Sequence, residues 1–186
     1  MAAKRDQRLI QSENAIIEAG IKILLFNPDA GMSEIAQGSG VGRTTLYRHF
    51  ESKKILIQAI ALRCLDEINI AMAPVYGLPG RQGITATFEL LMPLASRYRF
   101  LNSLWSDAIE DPAVVEQLEK STKDMEWLFE QAKEAGEIDK EIPTSWLVKF
   151  YDMTLNTAWS LLESGEITAE QAAKLAERSF FHGCGL

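Results

Sequence analysis

Apolar residues recur along this chain at the three- and four-residue steps of an α-helix, and no stretch shows the strict alternation of a strand. In the first segment the apolar side chains between Ile10 and Leu24 fall on one helical face, and Pro28 follows that helix. Similar patterns predict helices over residues 6–26, 33–38, 43–49, 52–73, 112–135, 144–164 and 168–181, and a run over 83–105 that Pro93 kinks or splits. The chain is therefore expected to be all-α.

A break rich in proline and glycine interrupts the pattern between Pro74 and Gly80. The length of 186 residues suits one domain or two small ones. We therefore expect an N-terminal helix-turn-helix head over residues 1–50, a connecting fourth helix over 52–73 and a C-terminal helical domain over 74–186.

Residues 33–50, with the sequence SEIAQGSGVGRTTLYRHF, predict two short helices joined by a tight turn. Glycine at Gly38 and Gly40 suits the left-handed backbone that such a turn needs. In the second helix Leu46 and Phe50 lie four residues apart and point inward, which leaves polar and basic residues on the other faces. A bracing helix followed by one that presents hydrogen-bond donors is the arrangement with which a helix-turn-helix reads the major groove of DNA.

The run IAQGSGVGRTTLYRHFESKKIL resembles the N-terminal DNA-binding signature of TetR-type (TetR/AcrR) transcriptional regulators. The matching positions, in order and without a gap, are Ile35-Ala36, Gly40-Val41, Thr45-Leu46-Tyr47, His49-Phe50 and Ser52-Lys53. The resemblance covers about residues 8–65 and implies a three-helix head, a helical ligand-binding body and a homodimer held by a four-helix bundle. Two positions depart from the pattern, because Gly31 and Gly42 stand where Ser or Thr commonly begins each short helix.

Base recognition is expected from the first residues of the second short helix. Arg43 can fork onto the O6 and N7 atoms of guanine, and Thr44 and Thr45 can contact a thymine methyl group or a phosphate. The resemblance implies the same assignment of base contacts to these three positions. The alternative is that Arg43 is only solvated.

Contacts to the DNA backbone are expected from residues further along. Tyr47, His49 and Lys53 can donate hydrogen bonds to phosphates, and Arg48 can bind either a base or the backbone. The alternative for Tyr47 is that it packs. The N-terminal residues predicted to form an arm along the backbone or in the minor groove, or else a disordered terminus, are Lys4, Arg5 and Arg8.

The net charge of −7 is unexpected for a DNA-binding protein, but its distribution explains it. Residues 1–63 carry a net charge of +3 and residues 64–186 a net charge of −10, which fits a protein that meets phosphates at one end.

Two cysteines, Cys64 and Cys184, are too few for a disulfide scaffold. The N-terminus lacks the apolar core of a signal peptide, and no apolar run approaches the roughly 20 residues that span a bilayer. A reduced, cytoplasmic protein without a membrane partner is therefore expected.

A recognition helix of this length covers only a few base pairs, so specificity is expected from two copies of the chain on a palindrome. The predicted dimer interface is a stripe of mostly small residues on the last helix, formed by Ala169, Ala172, Ala173, Ala176 and Phe180. The helix before it is apolar on two sides, one running from Leu147 to Leu162 and the other carrying Trp146, Met153, Thr157 and Ser160. Such a helix needs two partners, its own core and a second subunit. The alternative is that both faces lie within one larger monomer core.

Aromatic residues and methionines are frequent in the body, and such side chains can line an apolar pocket for a small molecule. The resemblance points the same way, because members of that family commonly release DNA when a small ligand binds in the body. The candidate pocket residues are Phe88, Met92, Trp105, Trp127, Met153, Asn156, Thr157 and Trp159, with plain core packing as the alternative for the apolar ones. For the polar residues Asn156 and Thr157, the alternatives are that they are exposed to solvent or hydrogen-bonded within an interface.

The favoured interpretation is a repressor that a small apolar or amphipathic ligand releases from a palindromic operator. An enzyme is disfavoured because His49 and His182 have no partner at metal-ligand spacing, and no phosphate-binding loop, nucleophile elbow or Cys-x-x-Cys pair is present. No catalytic residue, metal or cofactor is therefore expected, and the acidic residues Asp107, Glu110 and Asp111 are interpreted as solvated. The alternatives are an effectorless DNA-binding or interaction protein with a helical body and, less favoured, a helical enzyme.

Overall fold

Ten α-helices make up the part of the chain that the computed structural model describes, which is the backbone of residues 2–184 and the side chains of residues 7–104 and 106–183. They are α1 Ala2–Phe26, α2 Met32–Ser39, α3 Arg43–His49, α4 Lys53–Met72, α5 Gly80–Leu91, α6 Ala95–Ser103, α7 Trp105–Ala108, α8 Pro112–Glu134, α9 Thr144–Glu163 and α10 Ala169–Cys184. Short 3₁₀ turns at Ala73–Val75 and Met92–Leu94 flank α5, and each contains a proline. Within these residues there is no strand, and the all-α prediction is confirmed.

Some predictions fall outside the described side chains, namely those on Lys4, Arg5, Trp105 and Cys184. None of the helices described here is both long enough and apolar enough to cross a membrane. No group of three or more histidine, cysteine or acidic side chains that could hold a metal ion occurs among the described residues either.

Contacts divide the chain into two compact units. The head unit consists of Met1–Asp66 and Ser96–Glu116, and the body unit consists of Glu67–Ala95 and Gln117–Leu186. The sequence had placed residues 96–116 in the body, because periodicity identifies a helix but not the helices against which it packs. The functional division at residues 1–50 and 74–186 stays a prediction.

The head unit has an apolar core to which α1, α2 and α3 each contribute. Ile17 and Leu24 of α1 are buried, as are Ile35 of α2 and Leu46 of α3. Gly20 lies where a β-carbon would stand only 2.6 Å from Cδ1 of Ile60, so α1 approaches α4 at van der Waals distance. The N-terminal helices are therefore held by close packing.

The body unit is built around an aromatic cluster contributed by α5, α8, α9 and α10. Its buried members are Phe88, Phe129, Tyr151 and Phe180, and their ring centroids lie 4.8 to 6.0 Å apart. Rings at these separations attract one another beyond the effect of burial alone. The cluster fixes α5 and α10 around α9.

Buried polar groups in this core are hydrogen-bonded. The Tyr151 hydroxyl donates to Oγ1 of Thr87 over 2.6 Å, and that hydroxyl donates in turn to the carbonyl oxygen of Ile84 over 2.7 Å. The indole Nε1 of Trp159 donates to the carbonyl oxygen of Leu91 over 3.2 Å, at the end of α5 where a helix leaves carbonyls unsatisfied. These bonds remove most of the cost of burying polar atoms among aromatic rings.

Replacement of Tyr151 by Phe is expected to lower the free energy of unfolding by about 1 kcal/mol, because it removes one buried hydrogen bond and leaves the ring in place. Tyr76→Phe is the matched control, since Tyr76 is more than half exposed and its hydroxyl bonds Asp124 at 3.2 Å on the surface. The control should change stability by less than about 0.5 kcal/mol. Urea denaturation followed by circular dichroism measures both, and equal losses would contradict the role given to the buried bond.

Candidate nucleic-acid interface

Two short helices and the turn between them form the candidate site, and backbone geometry sets their angle. The Glu34 carboxylate accepts a hydrogen bond from the Gly31 amide over 2.8 Å, which supplies the start of α2 with a cap that glycine itself cannot give. Gly40 ends α2 at φ 71°, in the left-handed region where only glycine is unstrained. Gly42 then precedes α3 in an extended conformation without a side-chain cap. The turn predicted from the sequence is confirmed at Gly40, whereas Gly38 lies within α2 and does not have the left-handed backbone expected for it.

Helix α3 and the residue that caps its end each bury one side chain, and most of the other side chains of α3 are exposed. Leu46 and Phe50 are buried in the head unit. Exposed side chains on α3 are Arg43, Thr44, Tyr47 and Arg48, while Thr45 and His49 are half-buried. The Tyr47 side chain is 48% exposed, which excludes the alternative that it packs in the core. The helix therefore presents guanidinium, hydroxyl and phenol groups on one surface.

Lys53 begins α4 and is partly engaged within the head unit. Its ammonium group donates a hydrogen bond to the carbonyl oxygen of Pro28, 2.5 Å away, in the loop before α2. An ammonium group has three donors, so this bond leaves others for a second acceptor. The contact also ties the start of α4 to the loop from which α2 begins.

The His49 ring is less available than the sequence suggested. Its Nε2 atom is buried and has no hydrogen-bond partner among the described residues, and the ring lies 6.1 Å from that of Phe50. Only Nδ1 is therefore left to bond a phosphate. The phosphate contact predicted for His49 stays a prediction.

Positive charge in the head unit is local. By sequence the unit carries eleven lysines and arginines and eleven aspartates and glutamates, and is neutral as a whole. Residues 43–54 carry four basic residues against the single acidic residue Glu51. The segment from α3 to the start of α4 is therefore basic within a neutral unit.

The small-residue stripe of α10 does not face outward, contrary to the sequence expectation. Only Ala169 is exposed, while Ala172, Ala173, Ala176 and Phe180 are buried within the single chain. They face α5 and α9 of the same body unit, because small side chains let helices approach closely inside one chain as readily as between two. The second face predicted for α9 is exposed instead, with Trp146 at 62% and Met153 at 68%.

The candidate pocket residues whose side chains are described divide between the body core and the surface. Phe88, Met92 and Trp159 are buried in the body core, whereas the exposed members are Trp127, Met153, Asn156 and Thr157. The two polar ones bond their own helix, since Asn156 donates to the carbonyl of Asp152 over 2.8 Å and Thr157 to that of Met153 over 2.9 Å. These four lie on the side of their helix that faces away from the core, so a ligand role for them stays a prediction. The buried hydroxyl pair of that core is formed by Tyr151 and Thr87, and the sequence carries no signal for Thr87.

An open cleft of about 490 Å³ lies on the outer face of α5 in the body unit. The residues that line it are Leu78, Arg81, Gln82, Thr85, Ala86, Glu89 and Glu137. The Arg81 guanidinium stacks on the Phe181 ring at 4.1 Å, and the Arg81 amide donates to the Glu137 carboxylate over 2.7 Å. None of the predicted pocket residues whose side chains are described lines this cleft.

Residues 28–60 match the sequence model of a family described as bacterial regulatory proteins, tetR family. The matched range holds α2, α3 and the first turns of α4, which are the helices of the candidate site. The HTH-type transcriptional repressor LfrR of Mycolicibacterium smegmatis is 32% identical over 62 residues, which make up 33% of this chain and 33% of LfrR. The HTH-type transcriptional activator FasR of the same organism is 28% identical over 126 residues, or 64% of this chain and 54% of FasR. The chain thus spans a third to about half of the length of these relatives.

Two solved structures share the fold over nearly the whole chain. A TetR family transcription regulator from Marinobacter aquaeolei superposes with a TM-score of 0.80 at 19% identity, covering 97% of this chain and 98% of the other. LfrR from Mycobacterium smegmatis, crystallised with proflavine, gives a TM-score of 0.75 at 19% identity over 91% of this chain and 94% of the other. At such identities the likeness establishes the fold alone.

Proposed function

This chain belongs to the tetR family of bacterial regulatory proteins, and from that premise we propose that it is a sequence-specific DNA-binding regulator of transcription. The observation that best supports the proposal is that α3 buries Leu46, is directly followed by the buried Phe50, and presents Arg43 and Tyr47 to solvent. Seven residues of helix span about 10 Å, which suits a major groove about 12 Å wide. The basic segment over residues 43–54 supplies the attraction to phosphates.

The exposed residues of this surface divide by chemistry into two roles. Arg43 reads a guanine through its two parallel donors, and Thr44 and Thr45 lie beside it at the helix start, where a recognition helix contacts base edges. The residues proposed to bind the DNA backbone are Tyr47, Arg48, His49 through Nδ1, and Lys53. Lys53 does so while keeping its bond to Pro28, which makes it both a contact and a brace.

The regulator acts as a repressor that a small ligand releases from its operator. LfrR, which is named a repressor and was crystallised with proflavine, supports this choice, whereas FasR is named an activator. The aromatic body core supports an apolar or amphipathic ligand, which must separate packed rings to reach Phe88, Met92 or Trp159. The alternative is an effectorless DNA-binding protein whose body serves only for assembly.

Two copies bind together through the exposed face of α9. Trp146 and Met153 are seven residues apart, on the same side of that helix, and both are more than 60% exposed. Exposed large apolar side chains in such an array mark a surface that another molecule covers. A twofold pair formed through α9 would present two copies of α3 to the half-sites of a palindrome.

Selection of bound sequences from random duplex DNA tests the proposed function. The selected sequences should converge on an inverted repeat, because a twofold dimer reads the same bases in each half-site. Enrichment is followed by sequencing, and affinity is measured at two salt concentrations. Binding that depends on salt but yields no common sequence would contradict sequence-specific regulation.

Arg43→Ala and Lys53→Ala are expected to weaken DNA binding in different ways. The Arg43 variant should lose preference at one base position, with a cost of about 1–3 kcal/mol at that position. The Lys53 variant should weaken all sequences alike and reduce the salt slope by about one. Titration of matched and mismatched duplexes at several salt concentrations separates the two effects. Identical behaviour of both variants would contradict the assigned roles.

Met153→Glu is expected to convert the dimer into a monomer, because it places a charge at the centre of the proposed apolar contact. Ile70→Glu is the matched control, since Ile70 is an equally exposed apolar residue on α4. Analytical ultracentrifugation measures the mass of each variant. A Met153 variant that stays dimeric, or a control that dissociates equally, would place the interface elsewhere.

Ligand control predicts a mutual effect between ligand and operator. A ligand can release DNA only if it prefers the conformation that fits DNA poorly, and linkage then makes DNA weaken ligand binding by the same factor. Planar aromatic cations, with proflavine as the first probe, are screened by thermal shift, and each compound that stabilises the protein is titrated with and without the selected operator. Equal ligand affinity in the two titrations would favour the effectorless alternative.

A further inference from the structure

We infer that Arg97 and Glu110, which lie far outside the helix-turn-helix in the sequence, are positioning residues for DNA binding. Both belong to Ser96–Glu116, the segment that returns to the head unit. Each forms an ion pair with a helix that frames the proposed DNA-binding surface, α1 for Arg97 and α4 for Glu110. The inference rests on the proposed function and adds the residues that hold its surface in place.

The pair between Arg97 and Glu18 fixes α6 to α1. The Arg97 Nη2 atom lies 2.6 Å from Oε1 of Glu18, and only 18% of the Arg97 side chain is exposed. The Glu18 side chain is 44% exposed, so the pair is partly shielded from water, and a short, charge-assisted bond of this kind is stronger than a fully exposed pair. Glu18 follows the buried residue Ile17 directly, so the pair acts close to the packing of α1 in the head core.

The pair between Lys54 and Glu110 fixes the first turn of α4. Lys54 directly follows Lys53, whose ammonium group holds the carbonyl of Pro28. The start of α4 is therefore bonded to two other segments of the head unit, the loop before α2 and the junction between α7 and α8. Both members of this pair are about half exposed, so its effect should be smaller than that of Arg97 and Glu18.

Glu110 thereby gains a role that its acidic neighbours do not share. Asp111 accepts a hydrogen bond from the Ala113 amide over 2.9 Å, which caps α8. A carboxylate beside a DNA-binding surface should repel phosphates, so a glutamate there is expected to reduce affinity. Because Glu110 is bonded to Lys54, we expect its removal to weaken operator binding instead.

Charge reversal distinguishes positioning from simple electrostatic attraction. The variants are Glu18→Arg, Arg97→Glu, Lys54→Glu, Glu110→Lys and the two double reversals that restore each pair, all in the full chain. If the pairs position α1 and α4, each single reversal should weaken binding to the selected operator, by about fivefold at the Arg97 pair and about twofold at the Glu110 pair. Each double reversal should restore affinity to within about twofold.

If only the added positive charge mattered, two of these variants would bind DNA more tightly instead of more weakly. Glu18→Arg and Glu110→Lys would then bind every DNA more tightly. A second measurement is the ratio of operator affinity to that of a scrambled duplex, which should fall in the single variants because misplaced helices lose base contacts before phosphate contacts. Lys123→Glu, an exposed reversal on α8 in the body unit, is the control and should leave this ratio unchanged.

Tighter binding by Glu18→Arg or Glu110→Lys, an unchanged ratio in the single variants, or failure of the double reversals to restore it would each overturn the inference. Should a reversed variant not fold, as judged by its melting curve, the neutral variants Glu18→Gln and Glu110→Gln take its place and the same ratio decides. If the wild-type chain selects no sequence at all, that result contradicts the proposed function itself, before any variant is compared. The two failures are therefore distinguishable.

Discussion

Burial of Leu46 and Phe50 is the interaction on which the proposed DNA-binding surface depends. A helix of seven residues does not form alone in water, because nucleation costs more than so few backbone bonds return. Helix α3 therefore exists because Leu46 and the Phe50 that directly follows the helix are held in the head core. The same burial fixes its rotation, so that Arg43 and Tyr47 are directed to solvent. A change in the packing beneath α3 would displace all the DNA contacts proposed for that helix together.

The body unit is held together by a different interaction. Its centre is a cluster of aromatic rings, and their polar atoms are hydrogen-bonded to other groups of the core, as the Tyr151 hydroxyl is to Thr87. A ligand that enters such a core must replace ring contacts with contacts of its own, which favours flat, apolar molecules over small polar ones. A core of this kind can link ligand binding to a change of conformation, since the rings cannot move apart without shifting the helices that carry them.

The sequence predicted the helices well because helical periodicity and local breakers determine them. The bounds of α3 agree, and Pro93 splits its run as expected. The sequence did not determine which faces of α9 and α10 pack within the chain and which are exposed. The alanine stripe that ends in Phe180 and the second face of α9 carrying Met153 both look suitable for a neighbouring helix, and the sequence does not say whether that neighbour belongs to the same chain. The return of residues 96–116 to the head unit was missed for the same reason, since helix pairing over long distances leaves no periodic signal.

The charge of the head unit shows why composition alone is a poor guide to the proposed DNA contact. A net charge of +3 over residues 1–63 favoured a basic head, yet the compact unit that includes residues 96–116 is neutral. Attraction to a polyanion depends on charge within about 10 Å of the phosphates at ordinary salt, so the four basic residues over 43–54 count for more than the total. Acidic residues elsewhere in the unit are then free to serve structure, as Glu18 and Glu110 do in bonding Arg97 and Lys54. A neutral unit with a local basic segment also limits binding to unrelated DNA, which leaves more of the discrimination to the base contacts of α3.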